Sequence, residues 1–174
     1  MPDPLPPTLD DRASPLSLGR RELLSLVAMM MALMALGIDI LLPAFDDIRD
    51  AYGLSENSSA PGQLITIYFV GLAVAQLFFG PLSDWYGRKP IIYIGVSIFI
   101  LGSVGSALAP NFATLMVFRF IWGVGAAGTR VVAVAVIRDC FDGSRMAKAM
   151  SEVMAVFVLV PVIAPTFGAG LIAL

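Results

Sequence analysis

Three charged side chains stand inside otherwise apolar stretches of this 174-residue chain: Asp39, Arg119 and Arg130. An ion held in hydrocarbon costs several kcal/mol, so a carboxylate there is paired, wet or protonated. Asp39 can therefore be an acid near enough to an interface to stay hydrated. It can also be a group that takes up and releases a proton, or holds a cationic molecule. Arg119 and Arg130 are 11 positions apart. At about 100° per residue this leaves about 20°, so a helix would carry both on one face. Gly123 and Ala126 fall on the same face, and small residues there let a neighbouring helix come close. Asp39 and Arg119 each lie about six or seven residues, or about 10 Å, from the same end of their segments, so the two can pair across a cavity.

A second constellation is Gly80-Pro81-Leu82-Ser83-Asp84-Trp85-Tyr86-Gly87-Arg88-Lys89-Pro90. A bare connector needs turn residues only, yet this one packs an acid, a glycine and two bases into six positions. Gly87 can take a positive φ for a tight reversal. Pro90 suits the first turn of a following helix, where no N–H is needed. Asp84 suits the positive amino end of that helix, and Arg88 the negative end of the preceding one. A positively charged hairpin with no further task is the plain alternative.

These residues must be positioned by membrane-spanning elements. Of the side chains 58% are hydrophobic, only 24 are charged (11 basic and 13 acidic), and the mean hydropathy is +0.86. A soluble domain of this length would carry about 44 charges. An ordinary cytosolic domain, a disordered chain and a nucleic-acid binder are thereby excluded. The chain has no histidine and one cysteine, Cys140. It therefore offers no imidazole base, no intrachain disulfide and no cysteine cluster for a metal.

The reading is an all-α integral membrane protein with five spans, at about 23–44, 62–82, 91–109, 112–137 and 151–172. Strands would need only about ten residues each and would alternate polar with apolar. Arg12, Arg20, Arg21, Arg88, Lys89, Arg138, Arg145 and Lys148 fall on one side if the spans alternate. Arg49 stands on the other side among Asp46, Asp47, Asp50 and Glu56. The first set marks the cytoplasmic side, which places the amino terminus there. Residues 1–19, with five prolines, read as a disordered cytoplasmic tail, and a cleaved signal peptide is the rival. The halt at Leu174, at the end of a span, reads as a truncation.

The last span holds Pro161, Pro165 and Gly168, so a bend is expected in it. Met146, Met150 and Met154 recur every four residues, and Met29 to Met31 with Met34 crowd the first span. Such stripes serve packing more often than binding, although an adaptable face would suit varied apolar substrates. No phosphate-binding glycine loop, nucleophile elbow or zinc-binding helix motif occurs, so neither ATP-driven pumping nor an enzyme is expected.

The 80–90 segment resembles the loop between spans 2 and 3 of the major facilitator superfamily, G-x-L-(A/S)-D-(R)-x-G-(R/K)-(R/K). Gly80, Leu82, Ser83, Asp84, Gly87, Arg88 and Lys89 fit, and Trp85 replaces a usual basic residue. The resemblance implies a cytoplasmic gate in which Asp84 and Arg88 join an acid at the end of span 4, here Asp139. Arg119-Phe120-Ile121-Trp122-Gly123-Val124-Gly125-Ala126-Ala127 resembles the R-x-x-x-G-x-G-x-A segment of span 4, whose arginine is associated with proton transfer. Trp122 stands where that segment usually has Gln. Asp39 to Ala44 resembles the D-x-x-L-P-A segment of the Bcr/CflA drug-resistance branch. Ala164-Pro165-Thr166-Phe167-Gly168-Ala169 is similar to the antiporter motif G-P-x-x-G-G, with alanine at two of its glycines.

The resemblance covers about residues 20–174. It implies the amino-terminal part of a transporter in the cell membrane that exports drugs or other small apolar or cationic molecules. A proton gradient would be the energy source, and no cofactor would be needed. Asp39 would carry the proton, Arg119 would regulate it and Arg130 would line the cavity. The expected partners are the bilayer, a small-molecule substrate, and a missing carboxy-terminal half or partner subunit. Import of a small metabolite, or a fragment that transports nothing, are the alternatives.

Overall fold

In the computed structural model the described residues are 19–39, 41–55 and 57–172, with side chains described as far as residue 163. Residues 1–18, read above as a tail, lie outside them, as do Ile40 and Glu56. The described residues form helices α1 (Arg20–Asp39), α2 (Phe45–Ala51), α3 (Ala60–Tyr86), α4 (Arg88–Ala107), α5 (Phe112–Cys140) and α6 (Gly143–Ile172). The protein is all-α, and five of its helical segments are long and apolar enough to cross a membrane.

Three helix ends differ from the sequence reading, each for a local reason. The first span does not run as one α-helix to Ala44. α1 ends at Asp39 and a 3-10 turn, Leu42–Ala44, leads into α2. Pro43 lacks an N–H and disfavours the α conformation in the residue before it. α3 continues through Pro81 to Tyr86, so most of the 80–90 segment is helix rather than loop. Only Gly87, at φ +87°, separates α3 from α4. The last helix begins at Gly143, not near 151. Its first two turns carry Arg145 and Lys148, and apolarity does not mark such an end.

α5 is the central element, packed along α3 on one side and α4 on the other. Glycines set both contacts. A Cβ at Gly123 would overlap the Tyr68 carbonyl oxygen, and one at Gly71 would overlap that of Phe120. Across the other seam, a Cβ at Gly102 would lie 2.5 Å from the Trp122 backbone nitrogen. Small residues at such crossings let backbones approach closely and gain dispersion contacts that lipid cannot supply. α1 lies against α5 and carries α6 on its other flank.

The main core joins Val27, Met30, Met31 and Met34 of α1 to Tyr68 and Leu72 of α3, Ala126 and Val132 of α5, and Val153 of α6. Met30, Met31 and Met34 are packing residues, whereas Met29 is 64% exposed. A smaller cluster of Leu41, Leu64 and Leu115 sits under Phe45 and Ile48 of α2 and under Tyr52, the residue after it. α4 and α6 leave most of their apolar surface uncovered, including Leu101 and Val158. Such faces are compatible with lipid rather than water.

Candidate functional site

The end of the bundle bearing the α3–α4 and α5–α6 connections is called the basic end here. At this end the chain reverses within one residue, Gly87, and so brings Arg88 back beside the last turn of α3. One guanidinium then ties three helices together. Its Nη1 donates to Ser83 Oγ at 2.6 Å and to Asp84 Oδ1 at 2.8 Å, both on α3. Its Nε donates to Asp139 Oδ2 at 2.9 Å and its Nη2 to Asp139 Oδ1 at 3.4 Å, on α5. The fork of guanidinium donors matches the two oxygens of a carboxylate, which fixes orientation as well as distance.

Asp84, Arg88 and Asp139, singled out in the sequence, are thus brought together. Ser83 is a buried fourth member whose part was not foreseen. Lys89 is exposed and makes no ion pair with a described residue. Trp85 is 86% exposed and turns away from the cluster. A second ion pair links α1 to α6 at the same end, Arg20 to Glu152 at 3.3 Å, and Arg20 also lies over the Phe141 ring.

Above the Arg88 cluster a groove of about 550 Å³ runs between α3 and α5. Gln76 and Gly80 form the α3 wall, and Arg130, Val134 and Arg138 the α5 wall. Gly80 contributes space, since a Cβ there would meet nothing within 4 Å.

Deeper in the bundle Arg119 is buried at 6% exposure. Its Nη1 donates to the Gly37 carbonyl at 3.0 Å, and its guanidinium stacks 4.5 Å from the centre of the Trp122 ring. Tyr68 and Phe99 brace that ring edge-on at 6.3 and 5.5 Å. Tyr68 in turn donates its hydroxyl to the Met34 carbonyl. The Gly37 carbonyl is available because the Leu41 N–H bonds Ile38 instead, where α1 gives way to the 3-10 turn. Arg119 therefore caps the carboxyl end of α1, where the last carbonyls lack helical partners and the helix dipole favours a cation. Arg119 Nε and Trp122 Nε1 are buried without a partner among the described residues.

The direct Asp39–Arg119 pair that their matching depths allow is not formed: no described carboxylate reaches Arg119. The reason is helical phase. Asp39 stands two positions beyond Gly37, or about 200° around α1, so the face that meets Arg119 does not carry Asp39. Asp39 is half-buried at the end of α1. Gly123 sits at the α3–α5 crossing, and Pro161 lies exposed within α6. Pro165 and Gly168 are in the helical backbone of α6, and their surroundings lie outside the described side chains.

Residues 27–174 match the Major Facilitator Superfamily. The chain is 36% identical over 155 residues to the uncharacterized MFS-type transporter YdgK of Bacillus subtilis, covering 89% of this chain and 38% of that protein. It is 37% identical over 131 residues to the multidrug resistance protein MdtL of Vibrio parahaemolyticus, covering 75% of this chain and 33% of that protein. The MdtL of Klebsiella pneumoniae is 38% identical over 135 residues, with 76% and 33% covered. The chain thus spans little more than a third of the length of the curated relatives it matches. With five membrane-spanning segments, a charged cluster across three helix ends and this match over most of its length, the chain belongs to the Major Facilitator Superfamily.

Proposed function

We propose that the chain is the amino-terminal part of a secondary transporter of the Bcr/CflA branch, exporting drugs or other small apolar or cationic molecules in exchange for protons. The observation that carries this reading is Arg119. A guanidinium buried within a span, with no carboxylate at hand among the described residues, is expensive to keep and marks a pathway for charge or substrate. The printed names of the MdtL relatives, multidrug resistance proteins, support export of drugs.

In this reading the basic end faces the cytoplasm, following the excess of Lys and Arg there. Asp39 takes up a proton from the opposite side and releases it inward. Arg119 holds the end of α1 in place and lends its field to Asp39 without a bond to it. Substrate and proton occupy the space between this unit and the remainder of the transporter, a carboxy-terminal half. The Arg88 cluster holds the ends of α3, α4 and α5 together, and so gives the cytoplasmic gate a fixed edge that meets and leaves the other part as the two rock.

The test is ethidium movement in everted vesicles carrying the natural full-length protein, with and without an imposed pH gradient. Gradient-driven accumulation inside the vesicles, lost in Asp39→Asn, is the expected result. Accumulation indifferent to both the gradient and Asp39→Asn removes the proton-coupled reading. Movement in the opposite sense turns it into import.

A further inference from the structure

We infer that the groove between α3 and α5 receives the acidic group of a small organic anion, with Arg130 as its principal ligand. The inference rests on the transport reading and widens its substrate class beyond apolar and cationic molecules.

Five charged side chains line the groove: Asp84, Arg88, Arg130, Arg138 and Asp139. Both carboxylates are already held by Arg88. Arg130 and Arg138 make no ion pair with a described residue, so the lining has an excess of positive charge and two guanidinium forks free to bind. Arg138 is exposed near the mouth. Arg130 is half-buried and stands ten residues before the end of α5, or about 15 Å in from it.

The two arginines are eight positions apart on one wall. Together they form a path of rising confinement from the basic end toward the middle of the membrane, and an anion is drawn along such a path. The groove's volume of about 550 Å³ is within the range that holds a small organic molecule. Val131, Val134 and Ala135 offer its carbon body an apolar wall, Gln76 offers an amide, and Gly80 leaves room.

The depth decides the class of ligand. A lipid phosphate stays at headgroup level and would engage Arg138 without reaching Arg130. A free molecule bearing a carboxylate can travel to Arg130 and form the bidentate pair that guanidinium geometry favours.

The experiment uses the natural full-length protein in phosphatidylcholine nanodiscs and two probes, carboxyfluorescein as the anion and ethidium as the cation. Equilibrium binding of each is measured by fluorescence anisotropy. In Arg130→Gln the dissociation constant for carboxyfluorescein is expected to rise at least tenfold while that for ethidium falls. Arg130→Lys, which keeps the charge, is expected to stay within about threefold of the parent for the anion. Arg138→Gln, at an exposed position with little bearing on folding, is expected to weaken the anion about threefold and leave the order of the probes unchanged. The inference is overturned if both probes shift together, if neither shifts, or if the parent binds ethidium and no carboxyfluorescein. A parent that binds both probes in this pattern but moves neither under a pH gradient upholds the groove and overturns the export reading instead.

Discussion

The seams on either side of α5 and the seam between α1 and α6 are built on different physical terms. Along α3–α5 and α4–α5 the contact is backbone against backbone. Gly95 and Gly128 face each other so closely that a Cβ on Gly95 would stand 3.1 Å from the Gly128 Cα. Gly71, Gly102, Gly123 and Gly125 are tighter still. Between α1 and α6 no described glycine makes such an approach, and the exposed Arg20–Glu152 pair joins the two helices. A seam set by backbone shape has one register, because any sliding drives atoms into overlap. A seam without such glycines, beside a core that holds Met30, Met31 and Met34 of α1 and has Met146 and Met150 of α6 against it, can repack through rotamer changes. The difference makes α3, α4 and α5 one rigid block and leaves the α1–α6 pair as the adjustable part.

The strongest way to break that contrast is to put a side chain into a backbone seam. Gly123→Val is expected to destabilise the protein by roughly 3 kcal/mol or more, since its Cβ and methyl groups would meet the Tyr68 carbonyl and surrounding backbone. Thermal unfolding in detergent would show it. Gly80→Ala, on the same helix pair but facing open space, should leave stability unchanged or raise it by up to about 1 kcal/mol. If the two variants unfold alike, the crossing is not set by glycine.

A smaller effect sharpens what holds the block at its basic end. A double-mutant cycle of Arg88→Gln with Asp139→Asn is expected to give a coupling of about 1 kcal/mol. The geometry is forked, but the Asp139 side chain is half exposed. The coupling should shrink in high salt. The smallest effect belongs to the adjustable seam. Arg20→Gln removes a pair whose side chains are 51% and 43% exposed, and it should cost about 0.5 kcal/mol or less. A larger loss there would mean that α1 and α6 are clamped as firmly as the central three helices.

The sequence made some of this visible and hid the rest for identifiable reasons. The five spans follow from apolar length, because hydrocarbon thickness fixes how many residues must avoid charge. The start of α6 was hidden because its first turns carry Arg145 and Lys148, and a helix that emerges from the membrane has no apolar signature at its tip. The Arg88 cluster was legible in part: glycine, acid and base stand in one tight reversal, whereas Asp139, near the end of α5, entered only through the family resemblance. Ser83 was not, since a lone serine gives no sign of being buried. Arg119 was recognisable as an intramembrane charge, but its partner is a backbone carbonyl. Carbonyls occur at every residue, and which of them is free depends on where α1 breaks and how it is turned.

The stacking of Arg119 on Trp122 also has an optical consequence. The chain has only two tryptophans, and their surroundings are opposite. Trp122 lies with its ring between Tyr68 and Phe99 and a guanidinium over its face. Trp85 is 86% exposed at the end of α3. The protein thus carries two native fluorophores, one reporting the buried charge and the other the basic end. Iodide would quench the second and spare the first. In a Trp85→Phe background, the remaining emission becomes a direct record of whether the guanidinium still rests on its ring while a ligand or a proton gradient is applied.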